Sequence, residues 1–134
     1  CMPGIPCVYY GSEWGAKARK EDGDPALRAC FDAPVENELT TYISRLAAIK
    51  KASDALNYGN FRSVLLTNKQ CIFERKTGSE RVLLALNADE APFDAHFDAG
   101  CGRAEELISQ TTHDFGGGTT LAPYTAYIWK METV

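Results

Sequence analysis

The sequence has no long apolar run, no basic stripe and no paired-cysteine motif, and each absence excludes a class of protein. No apolar run approaches the roughly 18 residues of a transmembrane helix, so we expect no membrane span. A net charge of −4 without a basic stripe argues against a nucleic-acid partner. The five cysteines form no CxxC pair and are odd in number, which indicates neither a zinc site nor a disulfide framework.

The sequence also has no signature of several common catalytic sites. We find no Ser-His-Asp pattern and no glycine-rich phosphate loop. His96 and His113 have no Cys, His or Asp neighbours at metal-ligand spacing, so we interpret both as surface or loop histidines. We therefore expect no metal and no cofactor.

The cysteines and the first residues indicate where the chain works and what it belongs to. Cys7 and Cys71 lie in apolar runs, so we expect buried thiols in a reducing, cytoplasmic setting. The chain begins at Cys1 without an initiator Met or a leader, which we interpret as a piece of a longer protein.

The first apolar run predicts a strand that needs partners. Cys7–Tyr10 is a short, continuous apolar run, typical of a strand buried on both faces in a parallel α/β sheet. Tyr9 and Tyr10 would then point to opposite faces, both as core residues. Residues 14–37 follow as a polar loop with glycine and proline, and long loops of this kind are usually functional or disordered.

The middle of the chain predicts one helix. Apolar residues recur at helical spacing after Val35, with Asn37 or Glu36 able to begin the helix and Gly59 lying past its end. We expect a single amphipathic helix with one buried face. The residues of that face are Leu39, Tyr42, Ile43, Leu46 and Ile49.

Beyond Gly59 the apolar period changes to two, which indicates short strands joined by turns. Asn68-Lys69 and Thr77-Gly78-Ser79 read as hairpin connections. Strands at this spacing predict a small antiparallel β-sandwich. We expect them at Phe61–Thr67, Gln70–Lys76, Arg81–Ala88, Ala91–Asp98, Arg103–Ser109 and Tyr124–Glu132, with a short one near Thr119–Leu121.

Several motifs together resemble the α-amylase superfamily of glycoside hydrolases, in its neopullulanase/cyclomaltodextrinase-like branch. Pro-Gly-Ile-Pro-x-x-Tyr-Tyr-Gly-x-Glu, at 3–13, resembles the eighth barrel strand of that family. Leu-x(6)-Leu-x-x-Ile-Lys-Lys-x-x-x-Ala-Leu-x-Tyr-Gly, at 39–59, resembles its eighth barrel helix. Phe73-Glu74-Arg75, Ser79-Glu80-Arg81, Leu86-Asn87 and the segment 124–129 resemble hairpins and the closing strand of its C-terminal β-domain.

The resemblance implies a mainly β chain in two parts. Residues 1–57 would be the last strand, loop and helix of an incomplete (β/α)8 TIM barrel, and residues 58–134 a C-terminal antiparallel β-sandwich. The parent would be a retaining enzyme that hydrolyses or transfers α-1,4 or α-1,6 glucosidic bonds. In the family the catalytic carboxylates lie on earlier strands, so the chain alone would carry no catalytic residue and be inactive. Residues 1–57 would expose apolar surface meant for the missing barrel and could pair with another copy.

Three residues of the polar loop are candidates for sugar binding. Asp24 and Arg28, in Gly-Asp-Pro-Ala-Leu-Arg, resemble the family's Asp-Pro-x-x-Arg stretch, in which both side chains contact a glucose of an α-glucan oligosaccharide. The alternative is a loop salt bridge with Asp24 as a helix N-cap. Trp14 could stack on a sugar ring or pack under the loop. Glu13 is interpreted as a structural partner for a cation at the barrel rim.

Two further functions stay open at this point. The sandwich alone could be a non-catalytic carbohydrate-binding module, although the sequence shows no row of exposed aromatic residues. It could also be a structural or oligomerisation domain that docks another subunit. Oligosaccharide binding by residues 58–134 would favour the first, and loss of oligomerisation on deletion would favour the second.

Overall fold

The computed structural model describes residues 1–132, which form two compact units. One unit is Ile5–Ala47, and the other combines Cys1–Gly4 with the chain from Ala48 onward. The predicted domain boundary at 57/58 stays a prediction about the parent enzyme. The last two residues of the predicted β-sandwich, 133–134, lie outside the described part of the chain. The helices are α1 (Asp24–Leu27), α2 (Glu38–Ala52) and α3 (Asp54–Tyr58), with 3₁₀ turns at Ser12–Trp14, Lys20–Asp22 and Phe115–Gly117.

The larger unit is an antiparallel β-structure, which confirms the predicted mainly β fold class. Six strands form one sheet in the order β1-β2-β3-β8-β5-β6, and β4 pairs with β7 in a second, two-stranded sheet. The strands are β1 (Asn60–Leu66), β2 (Gln70–Lys76), β3 (Arg81–Asn87), β4 (Phe93–Asp94), β5 (Arg103–Glu106), β6 (Thr111–Asp114), β7 (Thr120–Leu121) and β8 (Thr125–Met131).

The core of this unit lies on the central strands, and several of its side chains pack against one tryptophan. Trp129 of β8 is buried, as predicted, and stacks on His113 and Tyr127 with ring centroids 5.0 and 5.3 Å apart. Ile72 and Leu83 of the neighbouring strands are fully buried in the same cluster. Burial of large apolar side chains of this kind is the main favourable term that holds such a sheet together.

A buried ionic network lies at one end of the sheet. Glu74 of β2 is almost fully buried and accepts hydrogen bonds from Arg62 Nε (3.0 Å) and from Arg81 Nε. Arg81 Nη1 also donates to the Ala99 carbonyl at 2.5 Å. The hydrogen bond from Arg62 is the largest influence that lowers the pKa of Glu74 to about 2; Arg81 acts in the same direction, and burial opposes both.

A polar clasp attaches α3 to the sheet. Ser53 is the N-cap of α3, and its Oγ accepts a hydrogen bond from Leu56 N at 3.1 Å. Glu80 Oε2 accepts from Ser53 Oγ (2.9 Å) and from Ala55 N (2.7 Å). Ala55 and Leu56 are fully buried as a result. The compact unit therefore includes residues upstream of the predicted β-sandwich.

Loss of this cap has an expected cost. Ser53→Ala removes the acceptor for Leu56 N and one donor to Glu80, so we expect the free energy of unfolding to fall by about 1–2 kcal/mol. Chemical denaturation of the full chain measures the change. Ser63→Ala, in the exposed part of β1, is the matched control and should cost less than about 0.5 kcal/mol. Equal losses in both variants would contradict the role of Ser53 as a cap.

Two predicted elements differ from the structure, and one observed strand was not predicted. The segment Ala91–Asp98 pairs only at Phe93–Asp94, and β6 at Thr111–Asp114 was not predicted. The predicted single helix is broken at Ser53, whose side chain begins a second helix. Since the break redirects the chain, α3 buries its apolar residues while none of the residues described in α2 is buried. The predicted buried face of α2 is thus wrong: Ile43, Leu46 and Ile49 are half-buried, and Leu39 and Tyr42 are exposed.

The first residues also differ from the prediction. Within the described part of the chain, Cys7–Tyr10 forms no strand, and Cys7 is exposed rather than buried. Tyr9 and Tyr10 are exposed and contact each other, with centroids 4.7 Å apart, instead of facing opposite layers. The physical reason is that residues 1–132 offer no parallel strand with which this run could pair.

His113 is the remaining correction. It lies in β6, half-buried, between the rings of Trp129 and Phe115, and its Nε2 is 3.1 Å from Thr119 Oγ1. Burial lowers the pKa of His113. It is therefore a packed histidine of the sheet rather than a loop residue, whereas His96 is exposed as predicted. None of the helices in the described part has the length and apolar content of a membrane span.

Candidate functional site

The unit Ile5–Ala47 contains a cavity of about 380 Å³ that is lined mainly by aromatic and small side chains. Its size lies within the range of small-molecule pockets in proteins. Its walls come from the loop after the Pro-Gly-Ile-Pro motif and from α1. The principal lining residues are Tyr9, Tyr10, Trp14, Lys17, Leu27 and Phe31.

A tight glycine turn brings these walls together. Gly11 is buried at φ 84°, and a Cβ there would lie 3.1 Å from Ala16 Cβ and 3.2 Å from the Phe31 ring. Only glycine combines this left-handed backbone with so close an approach. The turn is closed by Ala16 N donating to the Gly11 carbonyl at 2.8 Å. The 3₁₀ turn Ser12–Trp14 lies inside it and places the Trp14 ring at the cavity wall.

The start of α2 holds this turn in place. Asn37, one of the two residues predicted to begin the helix, caps α2, because its Oδ1 accepts a hydrogen bond from Thr40 N at 3.0 Å. Its Nδ2 donates to the Trp14 carbonyl at 3.0 Å. Thr40 Oγ1 donates to the Glu13 carbonyl at 2.9 Å. The polar residues that begin the helix thus also position the residues of the cavity wall.

The aromatic rings form one connected cluster. Trp14 meets Phe31 edge-on at 5.1 Å, and Tyr10 meets Phe31 edge-on at 6.0 Å. Desolvation, and then the neighbouring Tyr9 hydroxyl, raise the pKa of Tyr10, so its hydroxyl is neutral at physiological pH and can both donate and accept. The Trp14 Nε1 proton is buried without a hydrogen-bond partner among residues 1–132.

The predicted carboxylate–guanidinium pair lies beside the cavity. Asp24 Oδ2 and Arg28 Nη1 are 3.8 Å apart at opposite ends of α1, and both side chains are about three-quarters exposed, at 75% and 74%. An exposed pair of this kind adds less than about 1 kcal/mol to stability. The N-cap of α1 is Gly23, not Asp24, so the predicted alternative of an Asp24 cap is wrong, while its salt bridge is present.

The structure brings only part of the predicted set together. Trp14 lines the cavity and packs against Phe31, whereas Asp24 and Arg28 lie outside the described lining. Phe31 and Lys17 are lining residues that sequence reasoning did not assign to a site. The paired glycines at 11 and 15 were the signal available, because they indicate a turn that can fold the loop over an aromatic cluster. Residues 1–132 bring together no group of three or more His, Cys, Asp or Glu that could hold a metal ion.

Comparisons with known proteins find relatives among cyclomaltodextrin glucanotransferases and α-amylases. No family model matches it. It is 34% identical over 90 residues to a cyclomaltodextrin glucanotransferase of Paenibacillus macerans and 34% identical over 86 residues to an α-amylase of Niallia circulans. These matches cover 66% and 63% of this chain but only 12% and 16% of the two relatives.

A solved structure shares the fold over nearly the whole chain. The α-amylase of Geobacillus thermoleovorans, complexed with acarbose, superposes with a TM-score of 0.82 at 20% identity. The superposition covers 98% of this chain and 30% of that enzyme. The antiparallel β-structure matches the C-terminal, sandwich-like β-domain of such enzymes. The chain is therefore homologous to a part of the cyclomaltodextrin glucanotransferases and α-amylases, which are glycoside hydrolases of the α-amylase family acting on α-glucans.

Proposed function

We propose that this chain is the C-terminal part of a retaining glycoside hydrolase that acts on α-1,4 or α-1,6 glucosidic bonds. In this proposal residues 1–57 supply the last strand, loop and helix of the catalytic barrel, of the neopullulanase-like type. The remaining residues supply a stabilising β-domain. The catalytic carboxylates come from the rest of the enzyme, so the chain alone binds sugar without cleaving it.

The observation that carries the proposal is the aromatic cavity beside the Asp24–Arg28 pair. Aromatic walls offer a flat surface to the apolar face of a sugar ring, and a few polar groups at the edge fix its orientation. Asp24 begins α1 and Arg28 directly follows it, both exposed, while Ala26 and Leu27 of this helix line the cavity. A glucosyl unit on the rings thus has a carboxylate and a guanidinium, at the two ends of α1, for its vicinal hydroxyls.

The exposed apolar residues of the unit Ile5–Ala47 support a larger partner. Ile5, Val8 and Val35 are each more than half exposed, with Ile5 at 96%. Burying such side chains is favourable by about 1.5–3 kcal/mol each, so a folded enzyme would be expected to cover them. In the proposal the other strands and helices of the barrel cover this surface.

The sugar-binding role of Arg28 has a direct test with a matched control. Maltohexaose is titrated into the full chain by calorimetry, where we expect weak, millimolar binding. Arg28→Ala should weaken binding roughly tenfold, because it removes charge-assisted hydrogen bonds worth about 1.4 kcal/mol. The control is Arg19→Ala, since Arg19 forms a comparable exposed pair with Glu21 at 3.7 Å on the same loop.

Two outcomes would contradict the proposed site. Equal affinities for Arg28→Ala and Arg19→Ala would show that Arg28 acts only through surface charge. Binding that is unchanged in Trp14→Ala would show that the cavity wall does not touch the sugar. The chain has two tryptophans, and Trp129 is buried in the other unit, so a maltohexaose-dependent change in fluorescence is expected to report Trp14.

A further inference from the structure

A polar groove runs along the end of the main sheet, in the unit that contains the strands. One cavity of about 670 Å³ lies beside the β2–β3 hairpin, and a second of about 530 Å³ opens next to it. The two cavities share five lining residues and are therefore one continuous groove. The shared residues are Arg62, Glu74, Lys76, Thr77 and Gly78.

The charges of this groove are nearly balanced. Three cationic side chains, Arg62, Lys76 and Arg81, line the larger cavity together with four carboxylates. Such a lining has no large excess of positive charge to attract an anion or of negative charge to attract a cation. It also has few apolar side chains that a hydrophobic ligand could contact. A neutral, hydroxyl-rich molecule suits it, because each hydroxyl can donate to a carboxylate and accept from a cation.

Part of the groove is fixed in place and part is free to bind. Glu74 is held by Arg62 and Arg81, and Asp98 Oδ1 accepts from Gly100 N at 2.7 Å. The Lys76 ammonium has no hydrogen bond or ion pair within residues 1–132. A Cβ at Gly78, at the hairpin tip, would meet no atom within 4 Å. The carboxylates of Glu74 and Asp98 are thus already hydrogen-bonded, while the Lys76 ammonium and the open edge at Gly78 remain for a ligand.

An exposed aromatic ring borders the outer end of the groove. Tyr58 lines the second cavity and is 81% exposed, as the last residue of α3. The hydrogen bonds of Ser53 and Ala55 to Glu80 hold α3, the helix that ends at Tyr58, on the sheet. A tyrosine ring offers an apolar face and a polar hydroxyl in one side chain. This is the complement of a sugar ring, which has an apolar C–H face and polar edges.

We propose that this groove is a second binding site for a neutral oligosaccharide, with Tyr58 as its stacking surface and Lys76 as a hydroxyl-binding cation. It lies in the strand-containing unit and shares no lining residue with the aromatic cavity of residues 9–35. Sugar binding at the groove can therefore be tested separately from sugar binding at the aromatic cavity, on which the proposed function rests.

The test follows amide resonances of the full ¹⁵N-labelled chain during a maltohexaose titration. We expect shift changes in the segments 58–62 and 74–81, and a roughly tenfold weaker Kd for those shifts in Tyr58→Ala and in Lys76→Ala. Tyr124→Ala is the matched control, because Tyr124 is an exposed tyrosine of the same unit that lies outside both cavities. Its Kd should equal that of the unsubstituted chain.

Each contrary result overturns the inference. Absence of shifts in 58–62 and 74–81 at millimolar maltohexaose would exclude sugar binding at the groove, whatever happens in residues 9–31. Equal Kd values in Tyr58→Ala and Tyr124→Ala would exclude the stacking role. Shifts of these segments with inorganic phosphate but not with maltohexaose would assign the groove to anions instead.

Discussion

Replacing Trp129 by alanine is expected to lower the free energy of unfolding by about 3–5 kcal/mol. Trp129 is 1% exposed and touches the rings of His113, Phe115 and Tyr127 at centroid distances of 5.0, 5.4 and 5.3 Å. Its removal leaves a cavity among these rings in the buried core. Urea unfolding of the full chain, followed by far-ultraviolet circular dichroism, measures the change.

The matched control for this substitution is an exposed aromatic residue. Tyr124 is 73% exposed, so Tyr124→Ala should change the free energy of unfolding by less than about 0.5 kcal/mol. A loss of less than about 1 kcal/mol in Trp129→Ala would contradict the packing described around this ring. If the variant does not fold, Trp129→Phe gives the same comparison with a smaller cavity and a smaller expected loss.

Glu74→Gln is expected to cost about 3–5 kcal/mol at pH 7, because it removes the charge that compensates a largely buried guanidinium. The Glu74 side chain is 9% exposed, and that of its partner Arg81 is 20% exposed. The other partner, Arg62, is 59% exposed. Arg62→Gln is therefore the matched control, with a smaller expected loss because the Arg62 side chain stays largely in solvent. Equal costs for both variants would contradict the asymmetry in burial.

The Glu74 carboxylate also makes the free energy of unfolding depend on pH in the acid range. The pKa of Glu74 is lowered from 4.5 to about 2 in the folded chain. Because the folded pKa lies below the unfolded value, the stabilisation is complete above pH about 4.5 and is lost as the pH falls toward 2. The difference in unfolding free energy between the unsubstituted chain and Glu74→Gln should therefore shrink over this interval. A difference that stays constant with pH would show that Glu74 contributes by packing alone.

The central strands could be predicted from sequence because their pattern is carried by their own side chains. In β2 and β3 the apolar side chains alternate with polar ones or form a continuous run, and turn residues bound each strand. The observed bounds of β2 are those predicted. β6 could not be found in this way, since Thr111–Asp114 has no apolar side chain and its position depends on pairing with β5. Ala91–Asp98 shows the reverse error, because its alternation is strong but only Phe93–Asp94 finds a partner, in β7.

The break between α2 and α3 shows why helix length was overestimated. Apolar spacing continues across Ser53, so periodicity alone predicts one helix. The buried serine cap and the Glu80 side chain from the β2–β3 hairpin decide the break, and Glu80 lies 27 residues away from Ser53 in the sequence. A contact over that distance has no local signal.

The candidate site was predictable in its residue types but not in its geometry. The motifs pointed to Asp24, Arg28 and Trp14, and the structure places Trp14 at the cavity wall and the pair at the two ends of α1. Phe31 could not be assigned from sequence because its role depends on the close approach to Gly11. The polar groove could not be predicted from sequence, because its residues come from four strands, from α3 and from the loops between strands.

The most direct test of this account is one maltohexaose titration of the full ¹⁵N-labelled chain, with the amides of residues 9–31 as the readout. Sugar binding at the aromatic cavity requires saturable shifts in this segment. The shifts should disappear in Trp14→Ala, and their Kd should be weaker in Arg28→Ala. If residues 9–31 show no shift at millimolar maltohexaose, the aromatic cavity of this chain does not bind sugar. The proposed role of this segment in an α-glucan enzyme would then be contradicted, even if the groove at 58–62 and 74–81 binds.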